Sequence, residues 1–154
     1  MKVRHHNIPA SYLYLEKNNK ILLLKRVNTG YEDGNYSLVA GHVEIGEPFS
    51  ETIIREAFEE SGIKIESKNL KVVHVLHRKS IDSERVDVFF TTDKWEGKIE
   101  NKEPNKCSEL EWFDINNLPK NIVPYVKFVI EKIKQDVFYS EYGWNEKNMK
   151  ERNI

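Results

Sequence analysis

The chain lacks the features that mark several large protein classes. Its 154 residues include one cysteine, Cys107, which excludes an internal disulfide and a zinc site built from several cysteines. No segment reaches the run of about 18 apolar residues that a membrane span needs, and residues 1–9 contain no apolar signal-peptide core. We therefore expect a cytoplasmic protein with no membrane partner, in which Cys107 is a small structural residue.

The sequence also has no excess of charge of one sign. Lysine and arginine number 24 against 25 aspartate and glutamate residues, a net charge of −1. This balance predicts no stable complex with nucleic acid, although it leaves room for a local basic patch. The length allows about 70% of the unfolded chain's surface to be buried in one core. We expect one domain over 1–138, a polar C-terminal tail of that domain over 139–154, and a monomer or homodimer.

Hydrophobic patterning predicts an α/β protein. Asn18-Asn19 has the composition of a turn between two paired strands, 10–16 and 20–27. Apolar residues from Val126 to Val137 recur at helical spacing and predict a second helix after the one at 48–61. Further strands are predicted at 36–40, 70–78, 85–93 and 109–115. Strands interleaved with two helices favour a mixed sheet lying between helices.

Three glutamates in the first predicted helix form the most informative cluster. Glu56, Glu59 and Glu60 are spaced i, i+3 and i+4, so their carboxylates share one helix face and repel one another. A divalent cation between them would relieve that repulsion, and oxygen-only ligation suits Mg²⁺ or Mn²⁺. On composition alone, a solvated acidic helix face is the commoner explanation. The opposite helix face offers apolar side chains for the core, namely Ile53, Ile54, Ala57 and Phe58.

The residues around these glutamates favour a loop–helix–loop unit. Gly41 and Gly46 bracket a loop before the helix, Pro48 suits a first helical turn, and Gly62 stands where a C-terminal cap would. The segment 41–63 matches every fixed position of the Nudix signature, G-x5-E-x7-R-E-U-x-E-E-x-G-U, where U is apolar. Those positions are Gly41, Glu47, Arg55, Glu56, Glu59, Glu60 and Gly62. The chain thus resembles the Nudix hydrolases, in particular MutT-like members, although Val39 stands where a proline is usual.

The resemblance implies a fold, a cofactor and a set of roles. The fold is an α/β/α sandwich with a mixed β-sheet between helices, and the cofactor is Mg²⁺ or Mn²⁺. Glu59 and Glu60 would be the principal metal ligands, joined by the Ala40 carbonyl, and Glu56 would be a further ligand or the base acting on water.

The other signature residues have supporting roles in this resemblance. Arg55 would orient the glutamates, and Glu47 would hold the loop and Arg55, with a purely structural role equally open for both. We attribute Gly41 to backbone conformation, and Glu44 to loop structure or a phosphate-bound metal.

MutT-type members also use residues outside the signature. Glu103 fits the place of an additional catalytic glutamate, with Glu100 and Glu109 as rivals. Lys25, Asn121 and Tyr125 correspond to places where such enzymes contact the base of the substrate. His74 and His77 are an odd number of residues apart on one strand, so they cannot share a metal by facing the same side.

The signature specifies a diphosphate joined to another group and leaves that group open. The first expectation is hydrolysis of a nucleoside triphosphate, including an oxidised one such as 8-oxo-dGTP, to the monophosphate and pyrophosphate. Hydrolysis of ADP-ribose or a nucleotide sugar, and removal of pyrophosphate from RNA 5′ ends, are the enzymatic alternatives. A noncatalytic nucleotide-sensing domain is a further alternative, which the complete set of signature residues disfavours.

Overall fold

The computed structural model describes residues 1–145, and all statements of structure below concern this part of the chain. Two α-helices, one short 3₁₀ helix (Ser67–Asn69) and nine strands occur within it. Their bounds are β1 Ile8–Leu13, β2 Glu16–Lys17, β3 Lys20–Arg26, β4 Tyr36–Ser37, β5 Val39–His42, α1 Phe49–Ser61, β6 Lys71–Lys79, β7 Glu84–Thr91, β8 Cys107–Asp114, α2 Pro124–Lys134 and β9 Tyr139–Tyr142. No helix in this range is long and apolar enough to cross a membrane.

The strands form two sheets. The larger has five strands in the order β5-β1-β7-β6-β9, with β1 parallel to β7, β6 parallel to β9 and the other pairs antiparallel. In the smaller sheet, β2 and β4 pair with the two ends of β3 along one edge, and β8 pairs with β3 along its other edge, from Lys20 to Arg26. The predicted strands 70–78 and 85–93 correspond to β6 and β7, which form an antiparallel hairpin.

Both faces of the five-stranded sheet are covered by a helix. Alternation along β1 sends Ala10 and Tyr12 into the apolar cluster that includes Val126 and Ile130 of α2. The next residue, Leu13, belongs to the cluster on the other face, under α1. The predicted α/β/α sandwich with a mixed sheet is therefore confirmed, because each helix buries its apolar stripe on one side of the sheet.

The predicted pairing of strand 10–16 with strand 20–27 is largely wrong. β1 pairs with β5 and β7 in the larger sheet, and only Glu16–Lys17 pairs with the start of β3. Asn18 and Asn19 do form the turn, with φ values of 53° and 59° that asparagine tolerates. The turn could be predicted from its two asparagines. The strand pairing could not, because the chain passes from the larger sheet to the smaller one just before the turn.

The described part of the predicted polar tail, 139–145, contains a strand that the sequence analysis did not predict. Strand β9 pairs with β6 from Val75 to Arg78, and the Trp144 indole donates a 2.9 Å hydrogen bond to the His77 carbonyl. Helix α2 ends at Lys134, short of the predicted Val137, and Asp136 has a left-handed φ of 57°. The remainder of the tail, 146–154, lies outside the described residues.

Candidate active site

Helix α1 presents the signature residues from a well-anchored position. It follows Pro48, which has extended backbone, and ends at Gly62 with φ 75°, as predicted. The Ser11 hydroxyl of β1 donates to the Phe49 carbonyl over 2.8 Å, which ties the helix start to the sheet. Ile53 is fully buried, whereas Phe58, predicted for the core, is 52% exposed. The buried face of α1 is therefore narrower than predicted, because it does not include Phe58.

Arg55 is the centre of the site's hydrogen bonds. Its guanidinium binds both carboxylate oxygens of Glu47, at 2.7 Å from Nε and 3.1 Å from Nη2. Its Nη1 donates to Glu56 Oε1 at 2.7 Å and to Glu59 Oε2 at 3.3 Å. A half-buried arginine in charge-assisted bonds with three carboxylates fixes their relative positions.

Glu47 connects Arg55 to the loop before the helix. Its Oε2 also accepts hydrogen bonds from the Thr52 hydroxyl at 2.8 Å and from the Glu44 amide at 3.1 Å. The bonds from Arg55 lower the pKa of Glu47 to about 2. Glu44 itself is exposed, and its Oε1 lies 4.0 Å from Arg55 Nη2. Glu47 therefore organises the loop, as the resemblance implied for this position.

Gly41 is required for space and not for backbone conformation, which corrects our expectation. It has ordinary backbone in β5, outside the positive-φ region. A Cβ built on Gly41 would lie 2.1 Å from Glu56 Oε1 and 2.2 Å from Glu56 Cδ. The glycine thus lets the Glu56 carboxylate pack directly against the strand backbone.

Glu60 lies beside the same strand. Its Oε2 accepts a 3.1 Å hydrogen bond from the amide of Ala40, so the structure shows a role for the N–H of this residue, where the resemblance pointed to its carbonyl. Burial, followed by the charge of Glu56, raises the pKa of Glu60 well above its ordinary value. Burial also raises the pKa of Glu56, although Arg55 opposes the rise. Two carboxylates are therefore held close together in a poorly solvated position.

Glu103 is the one of the three rival acids that the structure brings to these glutamates. Its charge contributes to the raised pKa of both Glu56 and Glu60. The loop carrying it is fastened to the end of α1, because the Lys102 amide donates to the Glu60 carbonyl at 3.1 Å. Glu100 instead forms an ion pair with Lys102 at 2.9 Å, and Glu109 accepts a hydrogen bond from the Tyr36 hydroxyl.

The donor set suits a hard divalent cation. Within residues 1–145, no three His, Cys, Asp or Glu side chains are grouped closely enough to form a ready-made metal site, and Arg55 holds Glu56 and Glu59 to itself. The available donors are nevertheless carboxylate oxygens, and Glu56 and Glu60 both carry charge that burial disfavours. A cation would offset that burial cost, so the residues fit the metal that the resemblance implies.

Within the described residues, the predicted base-contacting residues bond to groups other than the signature glutamates. Lys25 Nζ lies 3.6 Å from Glu109 and 5.7 Å from the centre of the Tyr36 ring. The Asn121 amide donates to the Gly34 carbonyl at 2.7 Å and so fastens the loop between β3 and β4. Tyr125 is buried, and its hydroxyl lies 2.9 Å from that of Tyr12. In the described part of the chain, no hydrogen bond or ion pair connects these three residues to the signature glutamates.

A buried ion pair near Tyr125 was missed by the sequence reading. Asp87 Oδ2 accepts a 2.8 Å bond from Arg78 Nε, and the Arg78 guanidinium lies 3.8 Å from the centre of the Tyr125 ring. Asp87 Oδ1 is the one buried side-chain nitrogen or oxygen within residues 1–145 that has no hydrogen-bond partner. The sequence did contain a sign of this burial. Asp87 alternates with Phe89 on one face of the strand, and a phenylalanine there indicates that the face is buried.

The two histidines of β6 face different surroundings, as predicted. His74 is buried, with its ring nitrogens 2.7 Å from the Val137 carbonyl and 2.6 Å from the Ser140 hydroxyl. His77 packs against Trp144, with ring centres 4.6 Å apart. Both residues therefore fasten the C-terminal strand to the sheet.

Comparisons with known proteins agree with this geometry. Residues 5–132 match the family model of the NUDIX domain. An ADP-ribose pyrophosphatase of Methanocaldococcus jannaschii is 35% identical over 115 residues, which cover 75% of this chain and 66% of that protein. An NAD-capped RNA hydrolase, NudC, of Shigella dysenteriae is 31% identical over 116 residues, which cover 75% of this chain and 42% of that protein. The chain thus spans just under two thirds of the first relative and less than half of the second.

Solved structures share the same architecture. A MutT NUDIX hydrolase from Burkholderia pseudomallei superposes with a TM-score of 0.75 at 23% identity, over 82% of this chain and 98% of that one. At this level of identity the likeness establishes the fold, and the substrate has to be argued from the residues of the site.

Proposed function

The chain belongs to the NUDIX domain family, and from this premise we propose that it hydrolyses a phosphoanhydride bond in a nucleoside diphosphate derivative with the aid of a divalent cation. Residues 1–138 form the single catalytic domain in this proposal, and the segment from 139 belongs to the same domain. The observation that carries the proposal is the gathering of Glu47, Glu56 and Glu59 around Arg55.

The cation is assigned to the carboxylates of α1. Nudix enzymes generally use divalent metals. We assign Mg²⁺ or Mn²⁺ to Glu56, Glu59 and Glu60 with the Ala40 carbonyl, because these are hard oxygen donors. When bound, the ion supplies neutralisation of phosphate oxygens and activation of water.

The protein's own groups position the reaction. Arg55 holds the carboxylates of Glu56 and Glu59, so their orientation is set before substrate arrives. Proton acceptance from the attacking water falls to Glu56 or to Glu103, which stands on a separate loop beside it. Lys25 and Asn121 remain the proposed contacts to the base, and Tyr125 supports the cleft from its buried position.

Three substrate classes follow from different observations. The MutT-like signature favours a nucleoside triphosphate, including an oxidised one, cleaved to the monophosphate and pyrophosphate. The relative named ADP-ribose pyrophosphatase, at 35% identity, favours ADP-ribose as the second candidate. RNA 5′ ends follow as a further class from the relative named as an NAD-capped RNA hydrolase.

Mass spectrometry of reaction products tests the proposal. The protein is incubated with Mg²⁺, and separately with Mn²⁺, and each of ATP, GTP, 8-oxo-dGTP, ADP-ribose, a nucleotide sugar and capped RNA. We expect a nucleoside monophosphate product from at least one of them and none with the Glu59→Gln variant. Turnover that Glu59→Gln leaves unchanged would contradict the site, and no product from any substrate with either metal would favour the sensing-domain alternative.

A further inference from the structure

A concave surface separate from the signature glutamates lies on the side of the large sheet that carries α1. It has a volume of about 470 Å³ and combines lysine with tryptophan side chains. We call it the Trp–Lys pocket, and its lining residues are Lys17, Asn18, Lys20, Trp95, Lys98, Ile99 and Trp112. Its three apolar members pack against the cluster under α1, so the walls of the pocket rest on the core.

The charges of the Trp–Lys pocket are unbalanced. Within residues 1–145, Lys17, Lys20 and Lys98 form no ion pair, and no acidic side chain lines the pocket. Lys17 and Lys20 are direct partners in the β2–β3 hairpin, an arrangement in which like charges are destabilising. Asp114 lies opposite Lys20 in the ladder, but within residues 1–145 the two side chains form no ion pair, and the Asp114 carboxylate accepts a 2.8 Å bond from the Asn116 amide. An anion in the pocket would relieve the repulsion between the lysines.

The tryptophans add a second kind of recognition. Trp95 and Trp112 are both half-buried, which leaves part of each indole open to the pocket. Lys17 Nζ lies over the Trp95 ring, 5.6 Å from its centre, so a base that stacks on this face would displace the ammonium group toward the adjoining phosphate. Aromatic faces that stack bases, flanked by lysines that contact phosphates, are the means by which proteins bind single-stranded nucleic acid.

The pocket and the proposed active site draw on the same segment of the chain. Trp95, Lys98 and Ile99 lie on the segment that leads to Glu103. Ile99 and Glu103 are four residues apart, so their Cα atoms are separated by about 14 Å at most. Between them, the Glu100 amide donates to the Ser61 carbonyl at the end of α1 over 3.0 Å. A nucleic acid chain with its end at the signature glutamates could therefore reach the pocket within a few nucleotides.

We propose that the Trp–Lys pocket binds a single-stranded nucleic acid chain, stacking a base on its indoles and holding the adjoining phosphates with Lys17, Lys20 and Lys98. A chain fits better than a free nucleotide because all three lysines are exposed at the surface, where a small ligand would be incompletely buried. This binding goes beyond the proposed hydrolysis and does not depend on it.

Fluorescence anisotropy with a labelled single-stranded RNA of about 12 nucleotides tests the proposal. The titration is made in EDTA, so no metal-dependent turnover takes part and failure of the hydrolase proposal would leave the result unaffected. Three lysine–phosphate contacts predict a slope of log K against log salt of about −2. Lys17→Glu should weaken binding about fivefold or more and reduce that slope, while replacing a like-charge pair in the hairpin with an opposite-charge pair.

Lys127→Glu provides the matched control. Lys127 is exposed on α2, on the opposite side of the sheet, and its replacement changes the net charge by the same amount. We expect this variant to bind RNA as the unchanged protein does, and Trp95→Leu to lose about fivefold or more through the missing stacking surface. Equal weakening by the two charge reversals, displacement of the RNA by equimolar GMP or AMP, or no RNA binding even at low salt would each overturn the proposal.

Discussion

Replacing Gly41 with alanine should impair the proposed reaction while leaving the fold intact. The new Cβ would stand 2.1 Å from Glu56 Oε1, whereas ordinary contacts begin near 3.4 Å. The carboxylate must therefore move by more than about 1 Å, because the strand backbone cannot retreat as easily as a side-chain end. That movement breaks the 2.7 Å bond from Arg55 Nη1.

The cost should appear in catalysis more than in stability. A misplacement of about 1 Å at a catalytic group costs on the order of 10²-fold in rate. Loss of one charge-assisted bond at a half-exposed site costs about 1 kcal/mol or less after solvent compensates. Gly41→Ala should thus lower kcat about 100-fold, measured on whichever substrate the product screen identifies, with a small change in the denaturation midpoint.

Gly46→Ala is the control with the opposite expectation. Gly46 has φ 80°, and its added Cβ would meet no atom within 4 Å. The backbone strain should cost about 1 kcal/mol of stability and leave kcat nearly unchanged. A Gly41→Ala protein that is folded and retains kcat within threefold would refute the steric account of Gly41 and the role given to Glu56.

Three further predictions concern groups outside that contact. Asp87→Asn should reduce the free energy of unfolding by about 3 kcal/mol in urea titrations, because Arg78 would keep its charge with no buried counter-ion; a loss below 1 kcal/mol would argue against the pair. Burial lowers the pKa of His74, so the folded protein keeps it neutral while the unfolded chain takes up a proton; stability should fall as pH drops below about 6.5, and less steeply in His74→Gln. Identical pH profiles of the two proteins would contradict this. Glu47→Gln should lower kcat about tenfold with little change in KM, since Arg55 loses an anionic partner; an unchanged kcat would show that Glu47 does not matter to the site.

Much of the fold could be predicted from local patterns. Helix α1 was readable because its glycine cap, its apolar residues and its charged residues all specify the same boundaries. The pairing of β1 was not readable, because its partners β5 and β7 are distant in sequence and a nearby turn offered a simpler hairpin. Strand β9 was missed for a related reason. It has four residues, and its attachment depends on His74, Ser140 and Trp144, whose contacts exist only after the chain has folded.

The candidate site, like the fold, has a part that local sequence patterns predict and a part that depends on tertiary contacts. The fixed spacing in the signature predicted which groups would gather, because residues on one helix face meet whatever else the fold does. It could not predict why Gly41 is needed. The reason is the close contact between Glu56 of α1 and Gly41 of β5, which depends on how the helix packs against the strand. It could not separate Glu103 from Glu100 and Glu109 either, because the difference lies in side-chain partners that form only in the folded chain: Lys102 for Glu100 and Tyr36 for Glu109.

Arg55 explains why the signature has to be read as a unit. Its guanidinium holds Glu47 of the loop and two acids of the helix, so removing the loop acid changes the positions of acids that it never touches. Without a cation, these carboxylates depend on Arg55 for neutralisation, and a bound cation would compete with Arg55 for Glu56 and Glu59. The two requirements are compatible because Glu47 binds Arg55 through both of its oxygens and keeps the arginine in place when the other acids turn away. Glu47→Gln should therefore weaken the orientation of the site most when metal is bound. Mg²⁺ titrations that follow thermal stability would show this as a smaller metal-induced rise in Tm than in the unchanged protein, and an equal rise would refute it.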